Sequence, residues 1–394
     1  MIHNIFMKIF LILFLFTMPL SGFSYPKFVG HGYNNCMVCH YNSQGNGPLT
    51  DYGRALGASE IAGNLFRSDK TDEELGEASN FLWMKKPLPL GIRPSINYRG
   101  LLFSRNVGDD DVMDDVWGNA EYINMQISAN VAIKLDDKDK YTVVAEASYN
   151  PDDKNDKENT MRSREYYFRF MPNKNIVAYA GLMDKVFGVR YENHYLFAKS
   201  YLGLSQNDQS HGITGAYQND SLEVTGNYFF GNLHIDGDTE QSGFSIKGVY
   251  KPSTFTRLGG SFLSSSSPYT EKTFFAAHAE YGLGHGSSVI AEFGQTLEKV
   301  ISSGNEKTGR YFQIQGTIRP LRGLYLYQTF EYIKENIDQE NYVMRLGPGV
   351  QWFVEQGLEL RVDLLNRREI NYPNGDGDNF SDEWELLSQV HVWL

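Results

Sequence analysis

The sequence predicts a mainly β protein, an antiparallel transmembrane β-barrel of about 16 strands with a small helical domain before it. Three observations point to this fold class. From Gly91 to the C-terminus, many segments alternate apolar and polar residues, and the connections between them are alternately short and long. The only two cysteines, Cys36 and Cys39, lie together near the N-terminus, in a stretch of different character.

Composition narrows the classes of protein to which the chain can belong. Of its 394 residues 41% are hydrophobic, yet the mean hydropathy is −0.41. That combination is typical of a protein whose apolar surface is thin and alternates with polar positions. The formal net charge is −12, so no basic face is available for phosphates and nucleic acid is excluded as a partner.

The first residues, "MIHNIFMKIFLILFLFTMPLSGFS", have the features of a secretory signal peptide. Lys8 supplies positive charge, the apolar run 9–16 follows, and small residues precede an expected cleavage near Tyr25. A membrane anchor is the alternative, but the run is shorter than the roughly 20 residues of a spanning helix. We therefore predict a signal peptide at 1–24, followed by a small domain at 25–86 and the barrel at 87–394.

The motif Cys36-Met37-Val38-Cys39-His40 has the C-x-x-C-H pattern of c-type haem attachment, and it predicts that 25–86 is a monohaem cytochrome c-like domain. Each thiol adds to one haem vinyl group, and His40 becomes an axial ligand of the iron. A disulfide would not need the histidine, a zinc site would need more ligands, and a thioredoxin-like pair would need a βαβ context. One covalent haem c is the best reading of this pattern.

The second axial ligand stays open between two residues. His31 closely precedes the motif, whereas Met84 ends a stretch predicted as helical and would have to fold back. Met37 lies inside the attachment loop and is sterically unsuitable, and a five-coordinate iron is a further alternative. Arg54 is a candidate partner for a haem propionate, with an ordinary surface arginine as the alternative.

Two helices are expected in this domain. A short one follows the Gly/Pro turn in "GNGPLTDYGRALG". A second begins after Thr71, which forms a predicted capping box with Glu74, and is expected to run to about Trp83. Pro87 prevents its continuation. A domain of this size buries too small a core to be stable alone, so we expect it to dock on a neighbouring surface.

The barrel strands are predicted from a period of two. In "INMQISANVAIKL" one side carries Ile123, Met125, Ile127, Ala129, Val131 and Ile133, and the other carries Asn124, Gln126, Ser128 and Asn130. Neighbouring aromatic residues near strand ends are expected to form interfacial girdles. They are Tyr166-Tyr167-Phe168, Phe229-Phe230, Phe274-Phe275 and Trp352-Phe353.

The connections favour an outer-membrane barrel over a soluble sandwich, because such barrels have short periplasmic turns and long outer loops. The predicted short connections are 136–140, 172–175, 218–221, 251–254, 282–286, 319–322 and 354–357. The predicted long ones are 105–116, 150–162, 188–210, 231–242, 264–272, 299–307, 335–340 and 369–382. Both chain termini then lie on the periplasmic side.

The chain resembles the fused monohaem cytochrome–porins of the bacterial outer membrane, whose members include iron-oxidising cytochromes. The resemblance rests on the order of signal peptide, single C-x-x-C-H, "PLTDYGRAL" at 48–56 and barrel. It implies that Cys36 and Cys39 hold the haem, that His40 ligates its iron, and that electrons cross the outer membrane.

A single haem cannot relay electrons along a chain of cofactors, and a haem hanging in the periplasm would be too far from an outside donor. The small domain is therefore expected to plug the barrel and to hold the haem inside the lumen. Electrons would pass from an extracellular donor such as Fe(II), through the haem, to a soluble periplasmic cytochrome. The alternative function is a porin or transport barrel whose haem domain is a redox-sensitive plug. No acid–base pair or nucleophile triad indicates another chemistry, which leaves Fe(II) oxidation as the enzymatic activity to consider.

The outer loops 108–115, 150–159 and 371–385 are acidic, a composition usual for solvated loops. The last one resembles an EF-hand loop and predicts a Ca²⁺ site, although an asparagine replaces the usual glycine. Hard carboxylates would also suit Fe²⁺ or Mg²⁺. The candidate ligands are Asn374, Asp376, Asp378, Asp382 and Glu385.

Overall fold

The structure is a computed structural model that describes residues 26–45, 47–107, 120–149, 161–191, 196–205, 208–234, 240–371 and 380–394. A barrel of antiparallel strands forms its main body, and the N-terminal part of the chain folds into this barrel. The predicted signal peptide at 1–24 and the acidic loops 108–115 and 150–159 lie outside the described residues.

The strands are long and are separated by short connections at one end. Their bounds are β1 Ile92–Val107, β2 Glu121–Lys134, β3 Tyr141–Tyr149, β4 Met161–Arg162, β5 Tyr166–Asn173, β6 Ile176–Met183, β7 Ser210–Gln218, β8 Leu222–Phe230, β9 Ser242–Ser253, β10 Thr256–Ser266, β11 Thr270–Gly284, β12 Ser287–Val300, β13 Glu306–Leu321, β14 Leu324–Lys334, β15 Tyr342–Glu355, β16 Leu358–Ile370 and β17 Phe380–Trp393.

The sheet closes on itself, because β17 pairs with β1 and β1 pairs with β2. Both β4 and β5 pair with β3, so they are two parts of one strand interrupted at 163–165. The 17 segments therefore occupy 16 strand positions, and the predicted strand number is confirmed. Closure leaves no unpaired edge strand, which is the requirement for a sheet that crosses a lipid bilayer.

Short and long connections alternate over most of the barrel as predicted, and both ends of the barrel chain lie at the short-turn end. Two predicted long connections are shorter than expected. Within 264–272, β10 extends to Ser266 and β11 begins at Thr270, and within 299–307 only residues 301–305 separate the strands. The ladder continues there because Ser266 pairs with Glu271 and Lys299 pairs with Glu306.

Burial alternates along the strands with the predicted period. In β2, Gln126, Ser128 and Asn130 are buried towards the bore, while Ile127 and Ala129 face outward. The outward apolar surface is continuous over many strands, which is typical of a lipid-facing barrel. In the predicted girdles only one residue of each pair faces outward: Phe229 is fully buried and Phe230 is 44% exposed, because successive side chains of a strand point to opposite faces.

The N-terminal segment, defined here as residues 26–90, consists of short helical turns. It contains the α-helices α1 Asp51–Leu56 and α2 Asp72–Glu77, a π-helical turn Gly57–Ile61, and the 3-10 turns Pro26–His31, Cys36–Val38 and Phe81–Trp83. In the described part of the chain no helix is both long and apolar enough to cross a membrane.

The prediction of a helix from Thr71 to about Trp83 is right at its start and wrong at its end. The capping box between Thr71 and Glu74 is present, but the helix ends at Glu77. Leu82 and Trp83 both have positive φ, which an α-helix does not allow. The turn between β15 and β16 also holds the chain here, since the Gln356 amide donates to the Ser79 carbonyl over 2.9 Å.

The N-terminal segment lies within the bore at the short-turn end. Apolar contacts join Ile61 and Ala62 to Tyr325 and Phe353 of the wall. Arg322, in the turn before β14, donates to the carbonyls of Ala58 and Ala62 over 2.9 and 2.7 Å. The marginal core of this small segment is thus completed by the inner wall of the barrel.

Candidate functional site in the barrel bore

The Cys36–Val38 turn places two thiols and an imidazole on one tight loop. The Asn35 side chain accepts a hydrogen bond from the Met37 N–H over 3.0 Å and so begins the turn. The N–H groups of Cys39 and His40 both donate to the Cys36 carbonyl, over 3.2 and 3.0 Å. Neither cysteine forms a disulfide. The turn therefore presents the donor set of the predicted motif from one short stretch of backbone.

Helix α1 holds this loop in place, which explains the residues of "PLTDYGRAL". Thr50 is the N-cap of α1, and it also donates to the motif: its N–H to the Cys39 carbonyl over 2.9 Å and its hydroxyl to the Val38 carbonyl over 2.8 Å. Gly53 packs directly on the motif, since a Cβ there would lie 2.3 Å from the Cys39 carbonyl oxygen. Only glycine permits this approach.

An apolar contact fixes the other side of the loop to the wall. Met37 and Tyr41 are buried in one cluster with inward-facing residues of β2, β3 and β5 to β7. The hydroxyl of Tyr179 donates to the Tyr41 carbonyl over 3.2 Å. Met37 therefore serves as a packing residue, as its place inside the attachment loop predicts.

Polar wall residues surround the rest of the loop. The Asn42 amide donates to Glu165 over 2.9 Å, Lys247 donates to the Gln44 amide oxygen over 2.9 Å, and Arg257 donates to the Asn34 carbonyl. Arg257 is itself held between two carboxylates, Glu280 at 3.2 Å and Glu223 at 3.3 Å. The loop is fixed by contacts from opposite sides of the bore.

The environment of the thiols does not suit thiolate chemistry. Burial raises the pKa of Cys36, and it raises the pKa of Cys39 to about 12. A redox-active dithiol or a zinc ligand needs a thiolate, which a lowered pKa favours. Among the residues described here, no three His, Cys, Asp or Glu side chains converge as a metal site. The raised pKa of both thiols disfavours the thioredoxin-like alternative.

His31 lies in the interior of the segment, near the motif. Its side chain is fully enclosed, and its Nδ1 is 3.0 Å from Oε1 of Glu60. Burial lowers the pKa of His31 to about 4, so the imidazole is neutral. The His31 ring is 5.9 Å from that of Tyr33, whose hydroxyl accepts a hydrogen bond from Tyr52 of α1.

Met84, the other candidate ligand, lies at the C-terminal end of the Phe81–Trp83 turn. Its N–H donates to the Phe81 carbonyl over 3.3 Å, and its carbonyl accepts from Asn80 over 3.2 Å. This turn packs on β1 at the rim of the barrel. Arg54, the candidate propionate partner, is buried and donates to the Pro94 carbonyl over 2.6 Å, so it anchors the segment to β1.

The predicted cation loop is only partly described. Asn374, Asp376 and Asp378 lie outside the described residues. Asp382 and Glu385 lie within β17, where Asp382 is 3.1 Å from Arg368 and Glu385 is 3.4 Å from Arg345. A cation at these two carboxylates would have to compete with the arginines, and the Ca²⁺ site stays a prediction.

The connection between β6 and β7, residues 184–209, is called here the inner loop. The sequence predicts a long outer loop at 188–210, but the described parts of this connection fold into the bore. Phe187, Ala198 and Leu202 are buried against the wall. Glu292 of β12 holds the loop, accepting from the Val189 N–H and from Lys199. The apolar run "YLFAKSYLGL" within this connection was the available signal.

Within the inner loop, Arg190 forms an ion pair with Asp184. The inner loop and the N-terminal segment both lie in the bore.

Solved structures of bacterial outer-membrane channels share this architecture. A loop-deletion mutant of OmpT, an outer membrane protein of Vibrio cholerae, matches with a TM-score of 0.59 and 11% identity over 77% of this chain and 99% of that chain. An anion-selective porin from Comamonas acidovorans matches with a TM-score of 0.55 and 10% identity over 77% and 99%. The outer membrane channel DcaP of Acinetobacter baumannii matches with a TM-score of 0.53 and 10% identity over 76% and 97%.

A comparison with protein-family models gave no match, and a search of curated proteins gave none. The likeness to solved structures at this level of identity concerns the fold. The chain is therefore a porin-like outer-membrane β-barrel by architecture, and its bore carries an N-terminal segment with a C-x-x-C-H motif.

Proposed function

We propose that this chain resides in the bacterial outer membrane, holds one covalent haem c in its bore, and moves electrons between an extracellular donor such as Fe(II) and a soluble periplasmic cytochrome. The observation that carries the proposal is the position of the Cys36–His40 loop. Met37 packs in one cluster with residues of β2, β3 and β5 to β7, while Asn34 and Gln44, on either side of the loop, bind Arg257 of β10 and Lys247 of β9. An attachment motif at this place puts a redox centre between the two faces of the membrane.

The residues of the loop fit haem c. Two thiols free of disulfide and an adjacent imidazole lie on one turn, which is the donor set that attachment requires. Cys36 and Cys39 would form the thioether links, and His40 would bind the iron. When bound, haem c takes up and releases one electron at a time. The wall residues around the loop fix its position.

The position of the loop suits passage of electrons in both directions along the bore. The lipid-facing belt of such barrels is about 25 Å tall, so a centre outside the bore would be remote from one of the two faces. Beside the motif, Val38 and Tyr52 are 40% and 49% exposed, which gives a soluble acceptor a surface to contact. The acidic composition of 108–115 and 150–159 would favour the approach of a small cationic donor.

A second candidate function is a porin or transport barrel in which the segment is a redox-sensitive plug. The likeness to an anion-selective porin and to an outer-membrane channel favours it. The two functions differ in whether the N-terminal segment must move. A redox-sensitive plug has to leave the bore, whereas in an electron conduit the segment has to stay there. The segment is held by Arg93, Arg257, Arg322 and Glu355 of the wall, which favours a fixed segment.

Full-length protein in sealed liposomes separates the two functions. We expect an absorption spectrum of covalent haem, reduction of an enclosed acceptor by external Fe(II), and retention of a small enclosed dye. His40→Ala should assemble the same barrel and lose electron transfer. Dye leakage without internal reduction would support the porin, and electron transfer by His40→Ala would contradict the conduit.

A further inference from the structure

We propose that His31 is the second axial ligand of the haem iron and that Glu60 is the residue that positions it. The inference rests on the proposed function, because it concerns the same haem. It selects one of the two ligands that the sequence leaves open, and it adds a carboxylate and two arginines for which neither the motif nor the fold class gives a role.

The first step is the place of His31. It ends the Pro26–His31 turn, which packs so closely on β11 that a Cβ on Gly282 would lie 2.4 Å from the Val29 carbonyl oxygen. The Tyr33 ring is 5.9 Å from His31 and 6.4 Å from Tyr52 of α1. Two ring contacts therefore link His31 to α1, whose N-cap Thr50 is bonded directly to Cys39 of the motif.

The second step is the orientation of the imidazole. Glu60 accepts a hydrogen bond from Nδ1 of His31 over 3.0 Å, which fixes the tautomer with the proton on Nδ1. The lone pair is then on Nε2, the nitrogen on the opposite side of the ring. A carboxylate bonded to the outer nitrogen of a metal-binding histidine is a common arrangement, because it sets the ring orientation and raises the basicity of the ligand.

The third step is that Glu60 is itself fixed. It lies in the π-helical turn Gly57–Ile61, a form often found at functional sites. Arg319 donates to the Glu60 carbonyl over 2.7 Å, and Arg322 binds the carbonyls of Ala58 and Ala62 on either side. The turn that carries Glu60 is thus held by two arginines of the barrel wall.

Met84 is the weaker candidate. Its backbone is committed to a turn at the rim, and that turn packs on β1 outside the cluster of Tyr33, Tyr52 and His31. Ligation by Met84 would require the Phe81–Trp83 turn to leave its place on the wall. His31 is already inside the segment, so its ligation would require only its side chain to move, and no helix or turn would have to change place.

The test compares haem-loaded full-length protein with His31→Ala and with Met84→Ala as the matched control. Wild type and Met84→Ala are expected to show a low-spin, six-coordinate spectrum and little binding of carbon monoxide in the reduced state. His31→Ala should become high-spin and bind carbon monoxide, and added imidazole should restore the low-spin spectrum. A low-spin His31→Ala, or a high-spin Met84→Ala, would overturn the assignment.

Glu60→Gln tests the positioning role with a different readout. The amide keeps the shape of the side chain and removes its charge, so the ferric state loses stabilisation. The midpoint potential should rise, by 59 mV for each tenfold loss in the ligand's affinity for ferric iron relative to ferrous iron. Glu73→Gln, an exposed change in α2, should leave the potential unchanged. An unaltered midpoint potential in Glu60→Gln would overturn the positioning role of Glu60. If His31→Ala does not accumulate as folded protein, the potential of Glu60→Gln alone decides whether the assignment of His31 stands.

These results are distinguishable from failure of the proposed function. Absence of covalent haem in the wild type, or absence of electron transfer across liposomes, contradicts the function. A haem-loaded wild type that binds carbon monoxide as readily as His31→Ala contradicts only the ligand assignment.

Discussion

At the scale of single residues, two glycines in neighbouring turns have opposite surroundings. Gly53 faces the motif, where a Cβ would meet the Cys39 carbonyl oxygen at 2.3 Å, whereas no atom lies within 4 Å of the Cβ position of Gly57. Both glycines lie in helical segments, and their neighbours in the sequence do not distinguish them. The difference comes entirely from what packs against each face, and it allows a matched pair of substitutions.

We expect Gly53→Ala to separate α1 from the cysteine loop at a cost of about 1–3 kcal/mol, typical of overpacking. Gly57→Ala should stabilise the helix by about 0.4–1 kcal/mol, because alanine restricts the unfolded chain. Thermal unfolding and the yield of covalent haem measure both effects. Equal behaviour of the two variants would show that the close approach at Gly53 is unimportant.

Asp51 gives a prediction with a defined pH dependence. It accepts from Nε of Arg93 over 2.5 Å and from Lys134 over 3.2 Å, and the half-exposed pair should be worth about 1 kcal/mol. Burial opposes ionisation, but the bonds to Arg93 and the charge of Lys134 bring the pKa below its ordinary 3.8. The contribution is therefore complete above pH 3.8 and is lost as the pH falls through the lower folded pKa.

Asp51→Asn should accordingly lower the melting temperature at about pH 6 and make much less difference at about pH 2. Asp69→Asn, whose carboxylate pairs with Lys70 on the surface, is the control and should change neither value. A constant difference between wild type and Asp51→Asn across this range would contradict the assignment of the charge.

At the scale of elements, the inner loop depends on one carboxylate. Glu292 accepts from the Val189 N–H, from Lys199 over 3.5 Å and from the Tyr311 hydroxyl over 2.9 Å. Glu292→Gln should leave a buried lysine without its counter-charge, at a cost of about 3 kcal/mol. Faster hydrogen exchange in 184–191 and 196–205 is the expected result.

Glu298→Gln on the same strand is the control for the inner loop. Glu298 pairs with Lys272 and Lys307 near the mouth, where water screens the charges. A change below about 1 kcal/mol is expected there. If both variants left the exchange of the inner loop unaltered, Glu292 would not be its anchor.

Elements were predictable from the sequence where neighbouring residues determine them. The faces of β2 follow from alternation alone, and the start of α2 follows from the capping box at Thr71. The end of α2 did not follow, because Gln356, far away in the chain, binds the Ser79 carbonyl. The inner loop was missed for the same reason: its anchor Glu292 lies about a hundred residues further on.

At the scale of the whole molecule, the alternation of short and long connections predicted the barrel and the end at which the termini lie. It did not predict which residues line the bore against the segment. Asn42 meets Glu165 and Gln44 meets Lys247 through tertiary contacts that leave no local pattern. The C-x-x-C-H motif is a local chemical signal, so it was recognisable, but the pairing of His31 with Glu60 was not.

The filled bore predicts a low ion conductance for the whole chain. A variant that keeps the predicted signal peptide and lacks residues 26–86 should still form the barrel, since the strand ladder from β1 to β17 does not include them. Its conductance in planar bilayers should rise strongly, because barrels of 16 strands otherwise leave an aqueous channel. Equal conductance of the two proteins would mean that the segment does not obstruct the bore.

The enclosure of the cysteine loop has a consequence for biogenesis. Once β17 has paired with β1, Cys36 and Cys39 lie within the closed cylinder, and an enzyme that must hold both thiols does not fit there. Any enzyme that modifies these thiols must therefore act on the newly exported polypeptide, while its sequence is still extended in the periplasm. Maturation and membrane insertion thus have a fixed chronological order, dictated by topology.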